Sequence, residues 1–359
     1  MKIAVFGHKT FPSRSGGVEV VVQELSKRMA SWGHTVVCYD RGGGKKRTEL
    51  GVMVCPVPTL GKGGLAAVTS SFFAAVMASL SDAQVVHIHG EGPAFWCWLP
   101  KAAGKRVIVT VHGLDWQREK WRRSLGKYYI HLGERSAVRF ADKIVVLTEC
   151  AKAYFEKEYG RNTLRISNGI TRPEKRNASA ISRWGLHQDG YLLYLGRLVP
   201  EKGIIRLIEA YRSVKTDKKL VIAGRADSEE YRKQLKVLSQ GDERICFTGF
   251  VEGELLESLY SNAWAYVLPS ELEGMPISLL EAMSYGNCCL VSDLPECKET
   301  AGAYALYFQK GNVQDLKEKL QVICDTPQLV EQYRRTAAEY VCGKYDWERV
   351  AQRTLELYQ

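Results

Sequence analysis

Short apolar runs alternate with longer amphipathic segments in the first half of the chain. The apolar runs are rich in β-branched residues and occupy residues 2–7, 35–40, 83–90, 106–113 and 143–148. Between the first two runs, a helical repeat places on one face the residues Val18, Val21, Val22, Leu25 and Met29. Strands that alternate with helices predict a parallel sheet with helices on both faces.

The alternation stops at residues 171–190 and then begins again. This segment is polar and charged, with Pro173 near its start and Gly190 at its end, and we interpret it as a linker. Six further apolar runs follow, at 191–196, 219–224, 244–250, 265–270, 288–292 and 304–308. The sequence therefore predicts an α/β protein of two domains, residues 1–170 and 191–345.

The composition of the chain limits the classes of protein that it can be. Its 359 residues are 45% hydrophobic, which is enough for two separate cores. The ten cysteines form no C-x-x-C pair, which favours buried thiols in a reducing compartment over a zinc site. The start MKIAVFG reads as a strand rather than a signal peptide, and the apolar run 65–80 is short for a membrane span. We therefore expect a cytoplasmic protein.

The formal net charge of +10 leaves three kinds of partner open. Nucleic acid, an anionic membrane surface and a phosphate-bearing ligand would each favour a basic protein. The basic residues are spread along the chain without an aromatic-rich basic module, which argues against nucleic acid.

In open parallel sheets, ligands bind outside the carboxyl ends of the strands, so the loops after each strand are the candidate site. Gly16 and Gly17 follow the first strand and open a helix, although a plain strand-to-helix turn explains them equally. Arg197 and Lys202 flank a turn after the run 191–196, and Arg225 follows the run 219–224. Helix N-termini and fixed cations together favour a diphosphate ligand.

The stretch ELEGMPISLLEAMSYG (271–286) contains two carboxylates eight positions apart. Pro276 suits the first turn of a helix whose buried side would be formed by Ile277, Leu279, Leu280 and Met283. Glu273 would lie in the loop before that helix and Glu281 on its second turn. Carboxylates accept hydrogen bonds only, so two of them near a phosphate site suit sugar hydroxyls.

Other nucleotide-site signatures are missing from the sequence. The dinucleotide fingerprint G-x-G-x-x-G is absent, and the run Gly42–Lys46 lacks the Ser/Thr and the spacing of a Walker loop. No D-x-D metal motif occurs anywhere. These absences disfavour a redox cofactor and ATP hydrolysis, and we expect chemistry without a metal or a resident cofactor.

Five spaced motifs carry a resemblance to a known family. GRLVPEKG, FTGFV, VLPSELEGMPISLLEAMSYG and SNGI, together with the N-terminal 35-residue stretch from Gly7, resemble the retaining glycosyltransferases of family 4. The N-terminal stretch is similar to that of bacterial polysaccharide rhamnosyl- and glycosyltransferases. The resemblance implies a GT-B fold, in which two Rossmann-like domains face a central cleft. It also implies that the last helix, 346–359, packs back on the N-terminal domain.

The resemblance assigns roles to residues of both domains. The N-terminal domain would bind the acceptor and the C-terminal domain the nucleotide-sugar donor. Arg197 and Lys202 match the pair that neutralises the leaving diphosphate, Glu273 the acid near the donor sugar, and Glu281 the acid that holds the ribose. His112 matches a residue near the transferred sugar. The other implied substrate-binding residues are Gly16, Gly17, Gly196, Arg225, Val251, Gly274, Met275, Pro276 and Ile277.

These features predict a retaining glycosyltransferase that moves a sugar from a nucleotide sugar to a saccharide or lipid-linked acceptor in cell-surface polysaccharide synthesis. A non-hydrolysing nucleotide-sugar epimerase of GT-B fold is the alternative. His87 and His89 are predicted to be structural residues. A basic and aromatic cluster suggests peripheral contact with an anionic membrane, although a solvated helix face explains it equally; it comprises Trp116, Arg118, Lys120, Trp121, Arg122 and Arg123.

Overall fold

The computed structural model describes residues 1–118 and 125–359, and these divide into two compact units. The first unit contains Met1–Gly169 and Trp347–Gln359, and the second contains Ile170–Asp346. Each unit is a parallel-sheet α/β domain of the Rossmann kind, as the alternation of strands and helices predicts.

The first unit is built on an eight-stranded sheet, with strands in the order β3-β4-β2-β1-β5-β6-β7-β8. All neighbours are parallel except β3 and β4, which are antiparallel. The strands are β1 (Lys2–Phe6), β2 (Thr35–Arg41), β3 (Arg47–Glu49), β4 (Val52–Val57), β5 (Val85–His89), β6 (Arg106–Val111), β7 (Lys143–Val146) and β8 (Leu164–Arg165). Its helices are α1 (Gly17–Ser31), α2 (Gly63–Leu80), α3 (Glu91–Ala94), α4 (Trp98–Ala102), α5 (Leu125–Phe140), α6 (Glu149–Tyr159) and α14 (Trp347–Glu356).

The second unit is built on a six-stranded parallel sheet in the order β11-β10-β9-β12-β13-β14. The strands are β9 (Tyr191–Leu195), β10 (Lys219–Ala223), β11 (Ile245–Gly249), β12 (Ala265–Leu268), β13 (Cys288–Ser292) and β14 (Leu306–Phe308). Its helices are α7 (Ile204–Arg212), α8 (Glu229–Ser239), α9 (Gly253–Asn262), α10 (Ile277–Ser284), α11 (Pro295–Ala301), α12 (Val313–Asp325) and α13 (Pro327–Lys344).

Each of the eleven apolar runs contains a strand, and the sequence analysis missed three others. β3 and β8 have only three and two residues, too few to show a period. β4 contains Pro56, which cannot donate a ladder hydrogen bond and therefore argues against a central strand. β4 and β8 lie in the sheet because β2 and β7 offer them free edges, and β3 pairs with β4 in turn.

Residues 171–190 are more ordered than the linker predicted for them. A 3₁₀-helix spans Ser179–Trp184, and the side chains of Ile181 and Leu186 are buried. The segment belongs to the second unit, because these two apolar residues anchor an otherwise polar stretch.

The apolar segment 65–80 lies within α2, an 18-residue helix. Ala74, Ala75 and Ala78 are buried in the core of the first unit. Among the described residues, α2 is the one helix long and apolar enough to span a membrane by length and composition. Its 18 residues have a mean hydropathy of 1.6, and 33% of them are buried within the protein.

The C-terminal segment completes the first unit. The backbone of Leu357 accepts a hydrogen bond from Arg106, and Arg28 on α1 pairs with Glu348 at 2.7 Å. Tyr358 reaches the centre of the sheet, where its hydroxyl lies 2.6 Å from Nδ1 of His87. The chain thus returns to its first domain after completing the second.

Candidate functional site

In the second unit, the loop after β9 carries two of the predicted cations. A 3₁₀-turn, Pro200–Lys202, leads into α7 through Gly203, whose φ is +67°. A Cβ at Gly203 would lie 2.0 Å from the carbonyl oxygen of Pro269, so this position requires glycine. This close approach brings Lys202 to the loop after β12.

Lys202 and Glu273 form a shielded ion pair. Nζ of Lys202 lies 2.5 Å from Oε1 of Glu273, and the Oγ of the buried Ser270 donates a hydrogen bond of 2.6 Å to the same oxygen. The two charged side chains are 16% and 6% exposed. Lys202, which was predicted to hold the diphosphate, is therefore in direct contact with Glu273, which was predicted to face the donor sugar.

Arg197 lies in the same loop but has a different partner. Its guanidinium is 3.4 Å from Asp227, in a pair that is partly open to solvent. The neighbouring Gly196 approaches Gly224 so closely that a Cβ on Gly224 would lie 1.8 Å from the Gly196 carbonyl oxygen. This packing joins the loops after β9 and β10, and the side chain of Arg225 is exposed beside them.

Glu281 is on the second turn of α10, where the hydroxyl of Tyr260 donates a 3.2 Å hydrogen bond to it. The prediction for Pro276 is wrong by one residue. Pro276 is the N-cap, with an extended ψ of 105°, and the helix begins at Ile277. The shift arises because proline restricts φ but leaves ψ free to be extended.

The rest of the loop before α10 packs inward, with Met275 and Pro276 buried and Gly274 half-buried. Ile277 was predicted to be part of the buried side of the helix but is only half-buried. Val251, just after β11, has a buried side chain next to the exposed Phe250. Val251 can therefore offer a ligand its backbone rather than its side chain.

Glu296, at the start of α11, is a candidate that the sequence analysis missed. Burial raises the pKa of Glu296, and the negative charge of Glu273 raises it further. The signal available in the sequence was its position shortly after β13, in the first turn of the helix that begins at the same carboxyl edge as Glu273. A half-buried carboxyl beside an ion pair can donate or accept a proton.

In the first unit, the loop after β1 places Gly16 at the N-cap of α1. A Cβ on Gly16 would lie 2.6 Å from a carboxylate oxygen of Glu19, and Glu19 also accepts the backbone N–H of Lys9 at 3.2 Å. A buried acid thus lies beside Gly16 and Gly17 at this helix end. A phosphate bound at this helix end would have to tolerate the negative charge of Glu19.

A chain of three histidines ends at His112, in the loop after β6. Nε2 of His112 is 2.9 Å from Nδ1 of His89, and the rings of His89 and His87 are 4.1 Å apart. Burial lowers the pKa of His112 to about 4 and that of His87 to about 3, and it lowers the pKa of His89 well below its usual value. All three are therefore neutral at pH 7.

The two histidines predicted to be structural have different surroundings. His87 has a partner on each ring nitrogen, the hydroxyls of Tyr358 at 2.6 Å and of Thr110 at 2.7 Å, which ties the C-terminal segment to the sheet. His89 touches His112 instead. Because only one of the two facing nitrogens of these neutral rings can carry the hydrogen, the tautomer of His112 is coupled to that of His89.

A pair of buried acids supports the loop that carries His112. Glu91 accepts the backbone N–H of Asp115 at 2.7 Å. Burial raises the pKa of Glu91 well above its usual value, and the charges of Asp115 and Glu134 add to the effect. Glu134 accepts hydrogen bonds from the hydroxyls of Tyr154 at 3.2 Å and Tyr159 at 2.6 Å. The Glu91 side chain therefore ties this loop to α3.

Metal ligands are not clustered in the part of the chain that the structure describes, where no group of three or more His, Cys, Asp or Glu side chains could hold an ion.

Two protein-family models match the chain, one in each unit. Residues 15–172 match "Glycosyltransferase Family 4", and residues 180–340 match "Glycosyl transferases group 1". Together the two matches cover most of the sequence.

Similar proteins include a GDP-mannose:cellobiosyl-diphosphopolyprenol alpha-mannosyltransferase of Xanthomonas campestris, 25% identical over 79% of this chain and 76% of that protein. An N,N'-diacetylbacillosaminyl-diphospho-undecaprenol alpha-1,3-N-acetylgalactosaminyltransferase of Campylobacter jejuni is 31% identical over 46% of this chain and 44% of that protein. Among solved structures, Anabaena HepE in complex with UDP and glucose has a TM-score of 0.83 at 17% identity, covering 99% of this chain and 98% of that one.

Proposed function

This chain belongs to the glycosyltransferases of family 4 and group 1, with the GT-B fold, and we propose that it is a retaining enzyme of cell-surface polysaccharide synthesis. Its donor would be a nucleoside-diphosphate sugar and its acceptor a saccharide carried on a lipid. The observation that carries the proposal is the Lys202–Glu273 pair at the carboxyl edge of the second sheet. In this proposal Lys202 would be the cation for the leaving diphosphate and Glu273 the acid near the sugar, and the two side chains are in contact.

The proposed chemistry breaks the bond between the anomeric carbon of the donor and its diphosphate oxygen. Arg197 and Lys202 would stabilise the negative charge that develops on the diphosphate, with Gly196, Arg225 and the N-termini of α7 and α10 around it. The acceptor hydroxyl would attack from the same face and pass its proton to the departing diphosphate. Glu273 would lie near the sugar as it becomes oxocarbenium-like.

The remaining donor contacts are proposed from the loops of the second unit. Glu281 would hold the ribose diol and the backbone of Val251 the base. Gly274, Met275, Pro276 and Ile277 would line the sugar and phosphates at the start of α10, where Pro276 has no N–H to donate. In the first unit, His112 would contact the transferred sugar as a neutral imidazole, with Gly16 and Gly17 beside the phosphates.

The test of this function is sugar transfer without added metal. The purified protein is incubated with a panel of nucleotide sugars and membrane-extracted lipid-linked acceptors after EDTA treatment. We expect transfer from one donor to continue, because two side-chain cations and helix ends replace the metal of D-x-D enzymes. Loss of transfer that Mg²⁺ or Mn²⁺ restores would contradict metal independence, and the absence of transfer from every donor would contradict the function.

The same assay distinguishes transfer from epimerisation. A nucleotide-sugar epimerase converts its donor without an acceptor, whereas a transferase needs one for turnover beyond slow hydrolysis. The similarity to glycosyltransferases in both units favours transfer. An incubation with donor alone, followed by chromatography of the nucleotide sugars, separates the two reactions.

We also propose a cytoplasmic enzyme that contacts the membrane through the first unit. Lys120, Trp121, Arg122 and Arg123 of the predicted cluster lie outside the described residues. The helix α5, which comes next in the chain, also supports membrane contact. One of its faces exposes the side chains of Tyr128 (70% exposed) and Leu132 (47% exposed). The exposed Arg135 and Arg139 continue the same face. Apolar and basic side chains on one helix face suit the interface of an anionic bilayer.

We expect the protein to float with anionic vesicles and to remain below with neutral ones. Each basic residue near an anionic surface contributes roughly 1 kcal/mol, so Arg135→Gln/Arg139→Gln should lower recovery with anionic vesicles severalfold. Lys152→Gln/Lys157→Gln on α6 is the matched control, since these exposed lysines lie on another helix. Equal recovery with both kinds of vesicle, or an equal loss in the control, would remove the support for this face.

A further inference from the structure

The carboxyl edge of the first sheet has an uneven distribution of charge. Three loops follow the neighbouring strands β1, β2 and β4, at residues 7–16, 42–46 and 58–62, and Arg41, the last residue of β2, is grouped with the second. They contain no acidic residue and six basic ones, which are Lys9, Arg14, Arg41, Lys45, Lys46 and Lys62. The turn after β5 leads to the acid Glu91 on α3, and the loop after β6 contains His112 and the acid Asp115 together with Arg118 and the other basic residues of the predicted cluster.

Backbone hydrogen bonds hold the three basic loops together. The N–H of Arg41 donates to the carbonyl of Lys9 at 2.8 Å, which joins the first loop to the second. The N–H of Gly42 donates to Oγ1 of Thr59 at 3.0 Å, which joins the second loop to the third. The cations therefore belong to one connected surface, which we call the basic edge.

Asp40 and Glu19, which adjoin the basic loops in the sequence, each have partners. Asp40 lies 3.0 Å from Nε2 of His8 and 2.9 Å from the guanidinium of Arg47. Glu19 accepts the backbone N–H of Lys9. Both carboxylates are buried, whereas the lysine side chains of the second and third loops are exposed.

Arg41 is at the centre of the basic edge and is half-buried. Its Nε donates to the hydroxyl of Ser70 on α2 at 3.2 Å, so its partner among the described residues is neutral. Burial lowers the pKa of Arg41, and the negative charge of Glu19 opposes that effect. A guanidinium that is drawn out of water without a carboxylate partner favours an anionic ligand, and its planar fork matches phosphate oxygens.

We propose that the basic edge binds the diphosphate of a lipid-linked acceptor, with Arg41 as its central contact. This inference rests on the proposed function, since it assigns the acceptor of the same enzyme. The exposed Lys45, Lys46 and Lys62 supply the further charges that a diphosphate needs.

The strand order also places the acceptor's reacting end. β2, which ends at Arg41, is separated from β6, which precedes His112, by β1 and β5. Three strand spacings amount to about 14 Å along the edge. A diphosphate at Arg41 and a reacting hydroxyl at His112 would leave room for a short saccharide between them. The acceptor is therefore an oligosaccharide on its lipid diphosphate rather than the lipid phosphate itself.

The test measures binding of farnesyl diphosphate, a soluble prenyl diphosphate, by calorimetry. Because a diphosphate can also bind the donor loops, all proteins carry Arg197→Gln/Lys202→Gln. In this background we expect one binding site. Arg41→Gln should lower the affinity of that site for farnesyl diphosphate at least about tenfold, because it removes one charged hydrogen-bonding partner. Lys45→Gln/Lys46→Gln, which alters only exposed side chains, should also weaken it and guards against misfolding of the Arg41 variant.

Lys152→Gln/Lys157→Gln removes two charges elsewhere on the same unit and should leave the affinity unchanged. Unchanged affinity in both basic-edge variants, or an equal loss in this control, would overturn the inference. Binding to anionic vesicles without binding of farnesyl diphosphate would also overturn the inference, because the basic edge would then be a membrane-docking surface. A parallel titration replaces the prenyl probe by inorganic pyrophosphate, and it tests whether the site binds the diphosphate group without the lipid.

The outcomes also separate this inference from the proposed function. The wild-type protein could transfer sugar while its binding of farnesyl diphosphate does not depend on Arg41. That result would contradict this inference and leave the proposed function in place. Binding that depends on Arg41 in a protein that transfers no sugar would contradict the function and leave an anion site in place.

Discussion

Arg197→Ala and Lys202→Ala should each lower kcat about 10²–10³-fold. Loss of one preorganised group that stabilises transition-state charge typically has an effect of this size. Both residues lie in the loop after β9, and Lys202 is held in place by Glu273 and by the backbone contact at Gly203. The measurement is steady-state turnover with donor and acceptor saturating, and near-normal turnover in both variants would contradict the diphosphate assignment.

The two variants should differ in stability. Arg197 and Asp227 are partly exposed, so their pair contributes little to folding. Lys202→Ala leaves Glu273 as a shielded carboxylate without its cation, which costs roughly 3 kcal/mol when a buried pair is broken. Thermal unfolding should therefore show a lower Tm for Lys202→Ala, and adding Glu273→Gln should restore stability without restoring turnover. Arg335→Ala, which breaks an exposed pair with Glu331 on α13, is the matched control for both measurements.

Glu281→Ala and Glu273→Gln should change different kinetic constants. In the proposed function Glu281 would hold the ribose, a contact that would be the same before and during the reaction, so its loss should raise the KM for the donor and change kcat little. Glu273 contacts Lys202, and in the proposed function it would face a sugar that becomes positive only as the bond breaks. Glu273→Gln should therefore mainly lower kcat. The comparison varies the donor at saturating acceptor.

Tyr260→Phe provides an internal control for this comparison. It removes one hydrogen bond to Glu281 and keeps the carboxylate, so the KM for the donor should rise less than in Glu281→Ala. If Glu273→Gln and Glu281→Ala raise KM alike and leave kcat untouched, neither carboxylate acts on the transition state. Catalysis would then rest on Arg197, Lys202 and the helix ends.

The arrangement of strands and helices could be predicted from local sequence patterns. Apolar runs such as 191–196 and 219–224 became β9 and β10 because a parallel strand buried on both faces needs a nearly continuous apolar run. The shortest strands could not be predicted this way. β3 and β8 exist through pairing with strands already in the sheet, and two or three residues carry no period of their own.

The family and the identities of the candidate site residues were also within reach of the sequence, because they depend on residue type and spacing. The eight-residue interval between Glu273 and Glu281 and the turn between Arg197 and Lys202 are local features. The start of α10 was misplaced by one residue, since the ψ of Pro276 depends on the buried loop before it rather than on the proline ring.

Only the tertiary structure decided which of these residues act together. Lys202 meets Glu273 from 71 positions away, and His87 meets Tyr358 from 271 positions away. The basic edge exists because β4, β2 and β1 are neighbours in the sheet, an order that no run of the sequence contains. Local patterns report short-range preferences for helix or strand, whereas charge pairing and ligand sites depend on which loops the strand order brings to the same edge.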